Sequence, residues 1–155
     1  MIKFKNTGPK ISESAIQDFE KTIGFALPPS YRNFLLEFNG GQPIPEFFSV
    51  PDWSGSASLV NDLWGILPGK WNDLADNIEL FSGRFPEGFF SIARDPGDNQ
   101  ILISLDGDTY GKIFFWDHEN EPNYDAQYLE DYKNTYFLAN DFKEFLNKLK
   151  QENEL

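Results

Sequence analysis

The amino-acid sequence predicts one α+β domain over residues 1–155, with helices near both ends enclosing a central run of strands, about six in all. Three observations carry that expectation. Residues 12–41 hold two stretches of helical apolar spacing with marked ends. Residues 89–116 hold three short apolar runs divided by turn chemistry, and residues 140–149 return to helical spacing behind a capping residue. A chain of 155 residues is long enough for one core. Its 16 Phe, 6 Tyr and 4 Trp supply large apolar areas to bury there.

Taken in order, Ser12 or Ser14 can cap a first helix over residues 12–24, with Ile16, Phe19 and Ile23 on one face. Ser14 and Gln17 have the spacing of a capping box, and Gly24 ends the helix. Pro28 and Pro29 suit the first turn of a second helix, where an amide proton would be unpaired anyway. Tyr31, Phe34, Leu35 and Phe38 then recur at i, i+3, i+4 and i+7 and define a core face, and Asn39-Gly40-Gly41 tolerates the left-handed backbone of a helix end. Ile44, Phe47, Phe48 and Val50, punctuated by Pro43 and Pro45, read as a strand at a sheet edge, because proline gives the ladder no donor.

Residues 53–58 are a Ser- and Gly-rich connection, residues 59–66 are apolar with no decisive period, and Leu67-Pro68-Gly69 is a turn. Residues 71–81 fit a helix with Leu74, Ile78 and Phe81 inward and Asp73, Asp76 and Glu79 outward. Residues 89–93, 100–105 and 112–116 are strands, separated by Asp95-Pro96-Gly97-Asp98-Asn99 and Asp106-Gly107-Asp108, and so form an antiparallel meander. Residues 119–134 make a polar, acidic, tyrosine-bearing excursion. Residues 136–139 give a last strand, after which Asn140 or Asp141 caps a helix carrying Phe142, Phe145, Leu146 and Leu149.

The formal charge is −12, from 25 acidic and 13 basic residues, which disfavours nucleic acid and anionic membrane surfaces and favours a basic protein partner. A merely soluble acidic surface has the same composition. There is no cysteine, hence no disulfide framework and no thiolate metal site. The first residues lack the apolar run of a signal peptide, and no membrane-length apolar stretch follows, so the expected location is cytoplasmic.

No constellation of residues points to catalysis. His118 is the only histidine, and no Gly-x-Ser-x-Gly elbow precedes it, which argues against a nucleophile triad and against histidine-cluster metal binding. Asp106, Asp108, Gly111 and Asp117 imitate a calcium loop, but Tyr110 occupies a ligand position and the flanks are strand-like, so a hairpin turn is the better reading. The run from Gly65 to Lys70 is one residue short of a phosphate loop, and Trp71 replaces the hydroxyl residue. The expectation is no enzyme, no cofactor and no metal.

What remains is a binding surface of aromatic groups amid carboxylates. Its residues are Trp53 beside Asp52, Trp71 and Asp73 at the start of an acidic helix, and Asp117, Glu119, Glu121, Tyr124 and Asp125 in the excursion. Such groups can anchor a partner while their charge steers a basic one. The competing reading makes the tryptophans core lids and the acids a solvated face.

Four blocks of the sequence also resemble a known family. The first is the 12–24 helix with Glu20, followed by Leu27-Pro28-x-x-Tyr31, Phe34-Leu35 and Asn39-Gly40-Gly41. The others are Ile92-Ala93-Arg94-Asp95 with Gly97 and Asn99, then Phe115-Trp116-Asp117-His118-Glu119, then Leu138-Ala139-Asn140-Asp141-Phe142 with Phe145-Leu146. In this order they resemble the SUKH superfamily, Smi and Knr type, across nearly the whole chain. The resemblance implies a single α+β domain with a mixed, mainly antiparallel sheet, flanked by helices and without enzymatic activity.

It further implies an immunity protein that binds a cognate polymorphic toxin, often a basic nuclease domain. The alternative is a regulatory or scaffold module of the kind the fungal members form in cell-wall signalling; those carry long disordered arms, whereas this chain is almost all domain. Leu27, Tyr31, Phe34, Leu35, Gly40 and Gly41 match the family pattern and are expected to be structural, leaving the loops to choose the partner.

Overall fold

The structure, a computed structural model, describes residues 2–155. Helix α1 (Glu13–Ile23) starts at Ser12, whose hydroxyl accepts from the Ala15 amide at 3.1 Å, and stops at Gly24 in the left-handed conformation. Ser12 is therefore the cap, and the Ser14–Gln17 box is not used. Helix α2 (Pro29–Glu37) follows Pro28 and buries Tyr31, Phe34 and Leu35. Helix α4 (Phe142–Asn147) is capped by Asp141, not Asn140, and buries Phe142 and Phe145. The aromatic rings of α2 and α4 meet directly, Tyr31 edge-on to Phe142 at 5.2 Å and Phe34 to Phe142 at 5.1 Å.

The expected meander is the centre of the molecule. Strands β5 (Asp62–Leu63), β6 (Phe89–Arg94), β7 (Gln100–Ser104), β8 (Ile113–Trp116) and β9 (Thr135–Ala139) form one antiparallel sheet in that order. Strand β7 is buried at every residue, so both faces of the sheet are covered. Ile101, Ile103, Ile113 and Phe115 lie in the main core with Tyr31, Phe142 and Phe145 of the helices. Leu102, Phe114, Phe89 and Trp116 form a second, smaller core closed by Phe81 and Phe85.

Four further strands pair in two antiparallel ribbons, β1 (Lys3–Lys5) with β2 (Gln42–Ile44) and β3 (Phe47–Ser49) with β4 (Ala57–Leu59). The α+β class is as expected. The single strand read around residues 44–50 is two strands in different ribbons, and the described residues hold nine strands because ribbons of three residues are too short to show a period. Among the described residues every strand pair is antiparallel, and the parallel element is one isolated bridge between Gly65 and Asp73.

Asn39 joins the layers. Its side chain is fully buried at a φ of 51°, donates from Nδ2 to the carbonyls of Pro9 and Ile66, and accepts the Ile66 amide at 2.7 Å. Gly41 then pairs with Leu63 of β5, at a φ of 116° and so close to the Lys5 carbonyl that a Cβ would stand 2.7 Å from it. The Asn-Gly-Gly signal is thus a junction as well as a helix end.

Helix α3 (Leu74–Leu80) is shorter than expected. Asp73 is its N-cap rather than an outward-facing acid. Its carboxylate is buried and accepts the amides of Leu67 at 2.8 Å and Asp76 at 3.2 Å.

Candidate functional site

The acidic excess is confined to one stretch of the chain. Between residues 71 and 131 there are fourteen acidic and three basic residues, a net −11 of the chain's −12, whereas the remainder carries eleven acidic and ten basic residues. That stretch builds α3, strands β6 to β8 with their turns, and the cover of the sheet's second face. The helical side of the molecule is nearly neutral. Most of the exposed large apolar side chains lie in the acidic stretch as well, with Trp71 64% and Leu80 68% exposed, joined by Tyr124 and Tyr128. Charge and exposed apolar area therefore coincide in one stretch of the chain, the combination that marks interaction surfaces.

The residues expected from sequence divide into two groups there. Trp53 is half-buried, packs on Phe115 with 4.6 Å between ring centroids, and donates its indole N–H to Asp117 at 3.0 Å. It is a lid on the main core that also ties the 51–56 loop to the end of β8. Asp117 is buried and accepts from Asn120 at 2.6 Å and from the Glu119 amide at 3.0 Å. Burial disfavours its charge, but the hydrogen bonds from Asn120, Trp53 and the Glu119 amide outweigh burial and hold its carboxyl below the usual carboxylate range. With Asp73, these side chains are engaged within the fold, Asp73 and Asp117 buried and Trp53 half-buried.

Asp52, Glu119, Tyr124 and Asp125 are exposed, as is Trp71. Trp71 stands edge-on to the buried Trp64, and the Arg94 guanidinium lies 5.1 Å from its ring centroid and 5.8 Å from that of Trp64. Arg94 is itself paired with Asp62 at 3.0 Å. Glu121 is bound by both Nε and Nη2 of Arg84, at 3.0 and 2.7 Å. Asp131 accepts the amides of Tyr128 and Gln127, which hold its carboxyl below the usual range, and Tyr124 donates its hydroxyl to the Asp131 carbonyl at 2.7 Å.

Sequence reasoning missed the loop between α3 and β6. Residues 81–88 are bordered by three adjoining clefts of about 360, 320 and 290 Å³, which share Phe81, Gly83, Arg84 and Ala126 between them. Phe81 and Phe85 stack at 5.3 Å on the edge of Trp116, and Arg84 lies over Phe81 and Trp116. The one available signal was Gly83-Arg84-Phe85-Pro86, a cation between backbone punctuators inside an acidic stretch.

Among the described residues, no group of three or more His, Cys, Asp or Glu could hold a metal ion, and no helix is long and apolar enough to cross a membrane. The turn at residues 106–111 joins β7 to β8 as a hairpin, with Asp106 accepting the Gly107 amide.

Comparison with known proteins gives two findings. A family model described as SMI1 / KNR4 family (SUKH-1) matches residues 10–148. The chain is also 29% identical over 154 residues to the SPbeta prophage-derived uncharacterized protein YokK of Bacillus subtilis (strain 168), covering 88% of this chain and 73% of that protein.

Proposed function

Because the chain belongs to the SMI1 / KNR4 family (SUKH-1), we propose that it is an immunity protein that binds and neutralises a cognate polymorphic toxin. The toxin is a basic, nuclease-type domain, and inhibition is occlusion without chemistry of the inhibitor's own. The observation that carries this reading is the net −11 gathered between residues 71 and 131, the stretch that also exposes Trp71, Leu80, Tyr124 and Tyr128. A nuclease must present cations to its substrate, and a carboxylate-rich face competes for the same cations. Long-range attraction speeds the encounter and weakens with salt, while the exposed aromatic groups slow dissociation once water is expelled. A prophage origin, which the Bacillus subtilis relative's name gives it, accords with such a role.

The test is to recover the tagged protein from its own cells at about 0.05 M and about 0.5 M salt, identify its partners by mass spectrometry, and co-express them. A basic toxic domain, lost at the higher salt and neutralised on co-expression, is the expected result. Recovery of signalling or envelope-assembly proteins, with no toxin and no protection, would overturn the proposal in favour of a scaffold.

A further inference from the structure

We propose that the 360 Å³ cleft between α3, the 81–88 loop and residues 126–127 receives an apolar side chain from a cationic amphipathic segment of the partner. This rests on the reading of the acidic face as a protein-binding face and names what docks there. Ile78, Phe81, Phe85, Phe89 and Phe90 wall the cleft. Its volume is near the lower end of ligand sites, which run from about 300 to 1,000 Å³, so it suits one or two large side chains better than a whole cofactor.

The charges around the cleft select what carries that side chain. Glu87 is the only ionisable group in the lining, and no cation lines it. The two neighbouring clefts are both lined by Arg84, and one by Arg94 as well. Glu79 follows Ile78 in the chain, and Asp125 lines the adjoining 290 Å³ cleft, which shares Ala126 with this one. Both are exposed, and neither they nor Glu87 forms an ion pair among the described residues. An apolar side chain flanked by Lys or Arg would therefore fill the cleft and meet the Glu87 carboxylate in its wall, with Glu79 and Asp125 adjoining it in the chain. An apolar side chain on a neutral or acidic segment would forgo that attraction.

The cleft is also built in advance. Glu87 donates its amide to the Gln127 carbonyl at 2.8 Å and accepts Gln127 Nε2 at 3.0 Å. The Tyr132 hydroxyl donates to the Phe85 carbonyl at 2.9 Å, so both walls are fastened before any partner arrives. A fastened wall loses little freedom on binding.

The experiment needs no toxin. Amide resonances of the full chain are followed by NMR during titration with a helical Leu/Lys peptide. Two controls accompany it, one with Ser for every Leu and one with Glu for every Lys. The expected result is shifts concentrated at residues 78–90 and 125–127, with about tenfold or greater loss of affinity for each control. Ala126→Trp, which fills the cleft, and the separate double variant Glu79→Lys/Glu87→Lys should each weaken the Leu/Lys peptide by a similar factor, about tenfold.

Equal binding of the Ser control, or shifts spread over all the acidic turns, would show charge attraction alone and overturn the inference. So would shifts centred on another apolar site. If the peptide binds as expected but no toxin is recovered from cells, the cleft stands and the immunity reading fails. If a toxin is recovered and the peptide ignores the cleft, the reverse holds.

Discussion

Asp117 shows how a carboxylate can serve the acidic face without being offered to a partner. It receives an indole N–H, a side-chain amide and a backbone amide, and its own carbonyl accepts Asn134 Nδ2 at 2.8 Å, so it links the 51–56 loop, the end of β8 and both ends of the excursion. Asp117→Asn keeps the shape but turns one acceptor into a donor facing donors. It should cost about 2 kcal/mol at neutral pH, since hydrogen bonds to a charged group are the stronger ones. The pH dependence has a definite sign. A carboxyl whose folded-state value is depressed contributes stability that is fully present above its unfolded value. That stability is lost as pH falls through the lower folded value. The gap between the parent and Asp117→Asn should hold from neutral pH to about pH 5 and narrow below about pH 4 in urea titrations. A gap unchanged at lower pH would mean that the charge is irrelevant. The residue type and its place at a strand end were legible in sequence, but its partner Trp53 lies 64 positions away and local pattern carries no trace of that bond.

At the scale of elements, the parts that were legible have local chemical punctuation. Ser12 and Gly24 bracket α1, Asp141 opens α4, and the Asp-, Gly- and Asn-rich turns divide the meander. The parts that were not legible include the three-residue strands of β1 to β4, too short to show a period, and the cap of α3, where helical spacing extended through Asp73 although its side chain closes the turn from outside. The excursion belongs with these. It contains only two short 3-10 turns, His118–Asn120 and Leu129–Asp131, yet it is fastened by Trp53, Arg84, Glu87 and the Phe85 carbonyl. Arg84→Ala separates local order from global stability. The Arg84–Glu121 pair is partly exposed, so the global loss should stay below about 1 kcal/mol. Amides of residues 119–127 should exchange about tenfold faster, because opening that segment no longer has to break the bidentate pair. Unchanged exchange there would assign the order of the loop to its other fastenings.

Across the whole molecule, charge is segregated rather than merely abundant. The total of −12 was plain from composition, but its placement acquires meaning only when residues 71–131 are seen to build the centre of the sheet and the whole of its second core. Two triple variants separate placement from total. Glu79→Lys/Glu119→Lys/Asp125→Lys alters the acidic face, and Asp18→Lys/Glu37→Lys/Glu154→Lys alters exposed positions outside the acidic stretch. Each exchange adds two charges, so both variants stand at −6. Within the acidic face, like charges repel over roughly a Debye length, about 10 Å at 0.1 M salt. The first triple should therefore raise the melting temperature by about 2–4 °C at low salt and lose that advantage at about 1 M. The second, acting where charges are already balanced, should shift it less. Binding should respond in the opposite sense, with the first triple slowing association with the recovered toxin by about tenfold or more and the second by less than about threefold. A face kept repulsive at some cost in stability, and needed for association, is the signature of a site maintained for a cationic partner. Equal effects from the two triples would leave net charge as the whole explanation and remove any special role for this face.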